Sequence, residues 1–146
     1  MLYNTILKEQ ETSSMRYELT KDLLTGNALI DSEHKQLFDA INALLDACAQ
    51  GKGRDSLPKT GQFLNSYVAK HFSDEEQLQV SSKYPGYPAH KTFHDGYKRK
   101  LQDATDSLLR DGATVRALGE INQLAGILIS HIRTEDRKLA QHLHSN

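Results

Sequence analysis

The chain has 146 residues, 38% of them apolar and 25% charged, and a net charge of −1. That suits one soluble domain with a real core. It excludes a basic nucleic-acid surface and an acidic interaction tail. No stretch approaches the ~20 apolar residues of a membrane span, and the single cysteine, Cys48, cannot form an internal disulfide, which fits a reducing compartment.

Residues 1–18 are mixed and polar, with no sustained period, and are expected to form an irregular leader. They lack the apolar core of a signal peptide, so a cytoplasmic chain is expected. Residues 19–30, LTKDLLTGNALI, read as an extended arm with a turn at Gly26 and Asn27. Leu23, Leu24, Leu29 and Ile30 are expected to pack it onto the body. A first helix is expected from Asp31 or Ser32, both good N-caps, with Glu33 in its first turn. Its stripe is His34, Leu37, Phe38, Ile41, Leu44, Leu45 and Cys48, and Gly51 and Gly53 end it.

A second helix is expected from about 56–58, since proline is tolerated in a first turn. Its stripe is Phe63 or Leu64, then Tyr67, Val68, His71, Phe72, Glu75 and Leu78. It should fade at Ser81 and Ser82, before the turn carrying Pro85, Gly86 and Pro88. A third helix over 88–110 turns His90, Phe93, His94, Tyr97, Leu101, Thr105 and Leu108 inward. A fourth over 113–142 does the same with Leu118, Ile121, Leu124, Ala125, Leu128, His131, Ile132 and Leu139. The last residues should fray, as a tail over 143–146. No segment alternates like a half-buried strand. The expected architecture is all-α: an up-down-up-down antiparallel four-helix bundle over 19–142, with an N-terminal arm.

Five of the seven histidines, at 34, 71, 90, 94 and 131, fall on inner faces, and each helix contributes at least one. Burying an imidazole without partners costs roughly 1–3 kcal/mol, and burying an unpaired Glu75 costs more. Bound metal removes all these penalties together. His71 and Glu75 are one helical turn apart on one face, as are His90 and His94. Five imidazoles exceed what one tetrahedral site needs, so two metals sharing carboxylates fit better. Nitrogen and oxygen donors suit iron, manganese, zinc or copper. A second bridging carboxylate is needed. Spacing favours Glu135, four residues after His131, because Asp136 is rotated about 140° from it on an ideal helix.

The motifs IDSEHKQLF at 30–38, HFSDEE at 71–76, YPGYPAHKTFH at 84–94 and HIRTED at 131–136 resemble those of the hemerythrin family in its bacterial form. The resemblance covers about 19–142. It implies that Asp136, not Glu135, is the second bridge, so the fourth helix must rotate or bend locally. It also implies two non-haem iron ions (Fe2+/Fe3+) with an oxo or hydroxo bridge. One is held by His90, His94 and His131, the other by His34 and His71, and Glu75 and Asp136 span both. The second iron then keeps an open position for dioxygen. Leu37, Phe72, Leu128 and Ile132, beside the ligands, are the candidates for an apolar pocket there. The family commonly has tryptophan near Leu19 and Ile127, and methionine where this chain has Gln79. That glutamine either brings a hydrogen-bonding group near the pocket or faces solvent.

The implied function is reversible dioxygen binding, as carrier, store or sensor input, with a signalling partner or fused effector domain if the chain is an excised piece. The alternatives are a di-iron enzyme (peroxidase, oxidase or nitric-oxide reduction) and an iron storage or detoxification module. The nitrogen-rich donor set disfavours the enzyme, since oxygen-activating bundles use more carboxylates. Cys48 is expected to be a core thiol, and His142 and His144 surface histidines.

Overall fold

A computed structural model describes residues 17–50 and 53–145. The expected leader therefore lies outside the described residues except for its end. Helix α1 spans Ala28–Ala49, α2 Gly53–Ser81, α3 Tyr87–Asp111 and α4 Val115–His131. A π-helical turn, Ile132–Asp136, follows without a break and leads into α5, Arg137–Ser145. Consecutive helices pack on one another, which makes the four-helix bundle. Among the described residues there is no strand, and no helix is long and apolar enough to cross a membrane.

Burial follows the helical stripes. Leu37, Phe38, Ile41, Leu44 and Leu45 of α1 meet Leu64, Val68 and Phe72 of α2, Tyr97, Leu101 and Leu108 of α3, and Ile121, Leu124 and Leu128 of α4. Of the two alternatives in α2, Leu64 is buried and Phe63 is exposed. Tyr97 is fixed by donating its hydroxyl to the Leu124 carbonyl at 2.9 Å.

The start of α1 differs from expectation. Gly26 and Asn27 are not a turn inside an arm. Asn27 is the N-cap, accepting from the Ile30 amide at 3.0 Å. Gly26 stands at φ +90°, where a side chain would be strained. Asp31 accepts instead from the Thr25 amide and hydroxyl and the Gly26 amide, tying the arm to the helix. Leu29 and Ile30 thus belong to α1. Leu23 and Ile30 are buried, whereas Leu24 and Leu29 are exposed, so only half the expected arm contacts form. The arm itself contains a short 3-10 turn, Lys21–Leu23. Arg133 donates to the Asp22 carboxylate and Arg137 to the Asp22 carbonyl. The arm is thereby held against the π-helical turn.

The α2–α3 turn is tight. Lys83 takes a left-handed conformation at φ 58°, and the Tyr84 amide donates to the Gln79 carbonyl at 2.9 Å. A Cβ on Gly86 would fall 2.7 Å from the Tyr84 ring, so a larger residue there would have to displace that ring. Among the described residues α5 continues to Ser145. His142 donates from Nε2 to the Ser82 carbonyl at 2.9 Å and its ring meets Tyr84. It is half-buried and docks α5 on the α2–α3 turn, while His144 is exposed. Cys48 is half-buried near the end of α1.

Candidate metal centre

Each helix delivers its polar residues at one level of the core. His34 comes from α1, His71 and Glu75 from α2, His90 and His94 from α3, His131 from the end of α4, and Asp136 from the π-helical turn. All seven are buried. They form two clusters, His90 with His94 and His131, and His34 with His71, Glu75 and Asp136. Within each cluster the ligand-type atoms lie within 4.8 Å of one another.

The π-helical turn explains how Asp136 reaches the core. The widened turn inserts an extra residue into the helical period, so the fifth residue after His131 returns to its face. Asp136 is fully buried, whereas Glu135 is exposed and pairs with Lys138 at 3.5 Å. Asp136, and not the residue that ideal spacing favoured, therefore lies among the histidines.

The two carboxylates face both clusters, one oxygen each. Oδ1 of Asp136 lies 3.0 Å from His90 Nε2 and 3.1 Å from His131 Nε2, while its Oδ2 lies 2.9 Å from His34 Nε2. Oε1 of Glu75 lies 3.2 Å from His94 Nε2 and 3.7 Å from His90 Nε2, while its Oε2 lies 3.5 Å from His71 Nε2 and 3.9 Å from His34 Nε2. Two ligand atoms at ~2.1 Å from one ion and at right angles are about 3 Å apart. Most of these separations are close to that value.

The unmet polar atoms point the same way. His71 Nε2, His94 Nε2 and both Glu75 oxygens are buried with no hydrogen-bond partner among the described residues. His90 and His131 set Nε2 against Nε2 at 2.8 Å. Imidazole nitrogens and carboxylate oxygens converging without internal partners suit two cations of borderline or hard character, and iron fits such a donor set.

A surrounding layer fixes the rings. His71 donates from Nδ1 to Glu33 Oε1 at 2.9 Å, and His94 from Nδ1 to Glu76 Oε2 at 2.9 Å. With the proton held at Nδ1, Nε2 is left as the donor toward the centre. Lys70 in turn contacts Glu33 at 3.1 Å and Lys91 contacts Glu76 at 3.6 Å. Phe72 stacks on His94 and Phe93 on His131, with centroids 3.8 Å apart in each pair. The sequence stripes did not single out Glu33 or Glu76 as partners. Their signal was available: an acidic residue directly before one ligand, His34, and directly after another, Glu75.

Electrostatics follow from this packing. Burial, with the Asp136 charge beside it, pushes the Glu75 carboxyl well above its ordinary range. Burial works against Asp136 too, but hydrogen bonds from His131, His34 and His90 outweigh it and hold that carboxyl well below the usual range. Glu33 is likewise opposed by burial, yet hydrogen bonds from His71 and its neighbours bring it down to about 2. Burial lowers His71, and lowers His94 to about 2, so both rings stay neutral. Neutral imidazoles offer ring nitrogen lone pairs to a cation, and a cation's charge would favour the ionised Glu75 carboxylate.

Of the four pocket candidates, Leu37, Phe72, Leu128 and Ile132 are all fully buried in the common core. Gln79 is also fully buried, so it does not face solvent.

Comparison with known proteins agrees with this picture. The family described as the hemerythrin HHE cation binding domain matches residues 25–143. A myohemerythrin of Sipunculus nudus is 34% identical over 110 residues, 75% of this chain and 79% of that protein. A hemerythrin of Themiste dyscrita is 34% identical over 114 residues, covering 78% and 82%. A bacteriohemerythrin of Pseudomonas aeruginosa (strain LESB58) is 35% identical over 82 residues, 56% of this chain and 53% of the relative. No solved structure matches significantly.

Proposed function

The chain belongs to the hemerythrin family, and we propose that it binds dioxygen reversibly at two non-haem iron ions. His90, His94 and His131 would hold one ion, His34 and His71 the other, and Glu75 and Asp136 could reach both. One observation carries this reading: each carboxylate turns one oxygen to each histidine cluster. Counting protein donors, the His90 cluster offers three nitrogens and two oxygens, and the His34 cluster two nitrogens and two oxygens. The shortfall favours dioxygen binding on the His34 and His71 side.

Two ferrous ions bound there would supply the electrons for reversible dioxygen binding. The chain's own residues do the rest. Glu33 and Glu76 keep the protons of His71 and His94 at Nδ1, so the rings cannot swing away from the centre. Leu37, Phe72, Leu128 and Ile132 form the apolar wall that keeps water from the open side. The bundle over 19–142 is the functional unit. It serves as carrier, store or sensor input, the last with a signalling partner or a fused effector domain. A cytoplasmic setting fits the single cysteine, Cys48.

The test is to load the metal-free chain with ferrous iron without air and then admit oxygen. A visible absorption band that appears with oxygen and fades when oxygen is removed supports the proposal. Irreversible oxidation with no such band contradicts it, and sustained turnover of peroxide or nitric oxide with a reductant favours an enzyme instead.

A further inference from the structure

Gln79 has 0% exposure, and neither Oε1 nor Nε2 of its carboxamide has a hydrogen-bond partner among the described residues. Burying two N–H donors and a carbonyl acceptor with nothing to bond is costly, and a native structure keeps such a group only for a reason. A long apolar side chain would fill the same space without that penalty.

Its position supplies the reason. Gln79 follows Glu75 by one helical turn, on the same face of α2, and His71, Glu75 and Gln79 occupy successive turns. Long side chains on a helix tend to lean back toward its N-terminus, which here is the direction of the Glu75 turn. Both Glu75 oxygens are also buried with no hydrogen-bond partner. An unmet donor and an unmet acceptor are thus neighbours on one helix. The facing stretch of α1 does not serve either. Its Leu29 shares a cleft with Leu78 and Ser81, and its buried residue at that level is the apolar Ile30.

We propose that Gln79 is a positioning residue for the metal centre, donating from Nε2 to the Glu75 carboxylate, directly or through one buried water, when the ions are bound. This rests on the reading of Glu75 as a shared ligand. A carboxylate spanning two cations uses one lone pair of each oxygen and keeps another for an N–H donor. The hydrogen bond fixes the carboxylate plane and draws charge from it. Oε1 is left to accept from buried water.

The test compares the full chain with its Q79M and Q79L variants, both metal-free and loaded with ferrous iron or cobalt(II). Denaturant unfolding, metal titration and carboxylate infrared bands are read for each. The metal-free variants are expected to be at least as stable as the parent, because the amide they lose was unpaired. Their metal affinity is expected to fall three- to tenfold with the stoichiometry still two, and a carboxylate band of the loaded protein is expected to shift. A structural role predicts the reverse: less stable metal-free variants with unchanged affinity and bands. That result overturns the proposal. A parent chain that takes up two ions no more tightly than the variants overturns this proposal alone. A parent chain that does not take up two ions overturns the shared-ligand reading, and this one with it.

Discussion

Replacing Glu33 by glutamine should weaken one of the two metal sites and spare the other. Glu33 is 3% exposed, and its Oε1 accepts from His71 Nδ1 at 2.9 Å while its Oε2 accepts from Lys70 at 3.1 Å. A hydrogen bond to a charged group of this kind contributes ~1.5–3 kcal/mol. A carboxamide keeps the shape but removes the charge that holds the imidazole proton. Changing the partner of a ligating histidine lowers metal affinity by roughly 10- to 100-fold. That equals about 1.4–2.8 kcal/mol, the same range reached from the hydrogen bond itself. Glu76 makes the matching contact to His94 in the other cluster, so E76Q should act on the other ion. Its effect should be smaller, because its side chain is 17% exposed against 4% for Glu33. The assay is an anaerobic titration of metal-free protein with cobalt(II), fitted as two sites. The expected result is one weakened step in each variant, and different steps. If E33Q leaves both steps unchanged, or weakens both equally, the assignment of one carboxylate-held imidazole to each ion is wrong.

Three further outcomes follow from the same geometry. D136N should abolish uptake of the ion pair, whereas E135Q should leave it intact, since Glu135 is exposed; metal analysis after dialysis distinguishes them. F72A should destabilise the metal-free protein by ~3–5 kcal/mol and lower Tm by roughly 6–20 °C, because a fully buried ring stacked on His94 is lost; denaturant unfolding giving less than about 1 kcal/mol contradicts this. Metal-free protein should lose stability as pH falls from 6.5 to 5. His71 and His94 stay neutral when folded but take up protons when unfolded, so the unfolded state binds more protons there, at up to about 1.4 kcal/mol per pH unit for each. Glu75 acts the other way. Its raised carboxyl contributes stability that is lost as pH rises, so unfolding of E75Q over this pH range should show the histidine slope more steeply.

Much of the centre was legible because helical period and chemistry disagreed. Histidines at 34, 71, 90, 94 and 131 and the glutamate at 75 stand where the 3.6-residue period calls for apolar side chains, and only a ligand reconciles the two. Asp136 was not legible that way. A periodic template assumes one helix type, and nothing in IRTED marks the extra residue of a π-helical turn, so Glu135 had the better spacing. The π-helical turn buries Asp136 among the histidines, as the family resemblance implied for its position, and leaves Glu135 at the surface. The start of α1 was misplaced because Asn27 and Asp31 are both good capping residues; which one caps depends on where the arm runs. Glu33 and Glu76 flank ligands by one position, about 100° around the helix. Single-helix stripes do not reveal that a neighbouring helix brings a histidine to meet them. His142 read as a surface residue because its partner, the Ser82 carbonyl, lies across the bundle end.

Glu75 and Asp136 should be shared between two ions. X-ray absorption on iron-loaded protein, with metal counted per chain, tests it most directly. Two irons per chain are expected, with an iron–iron distance of roughly 3.5–4 Å or a little less, as shared ligands require. One iron per chain, or two with no iron neighbour at that distance, contradicts the claim.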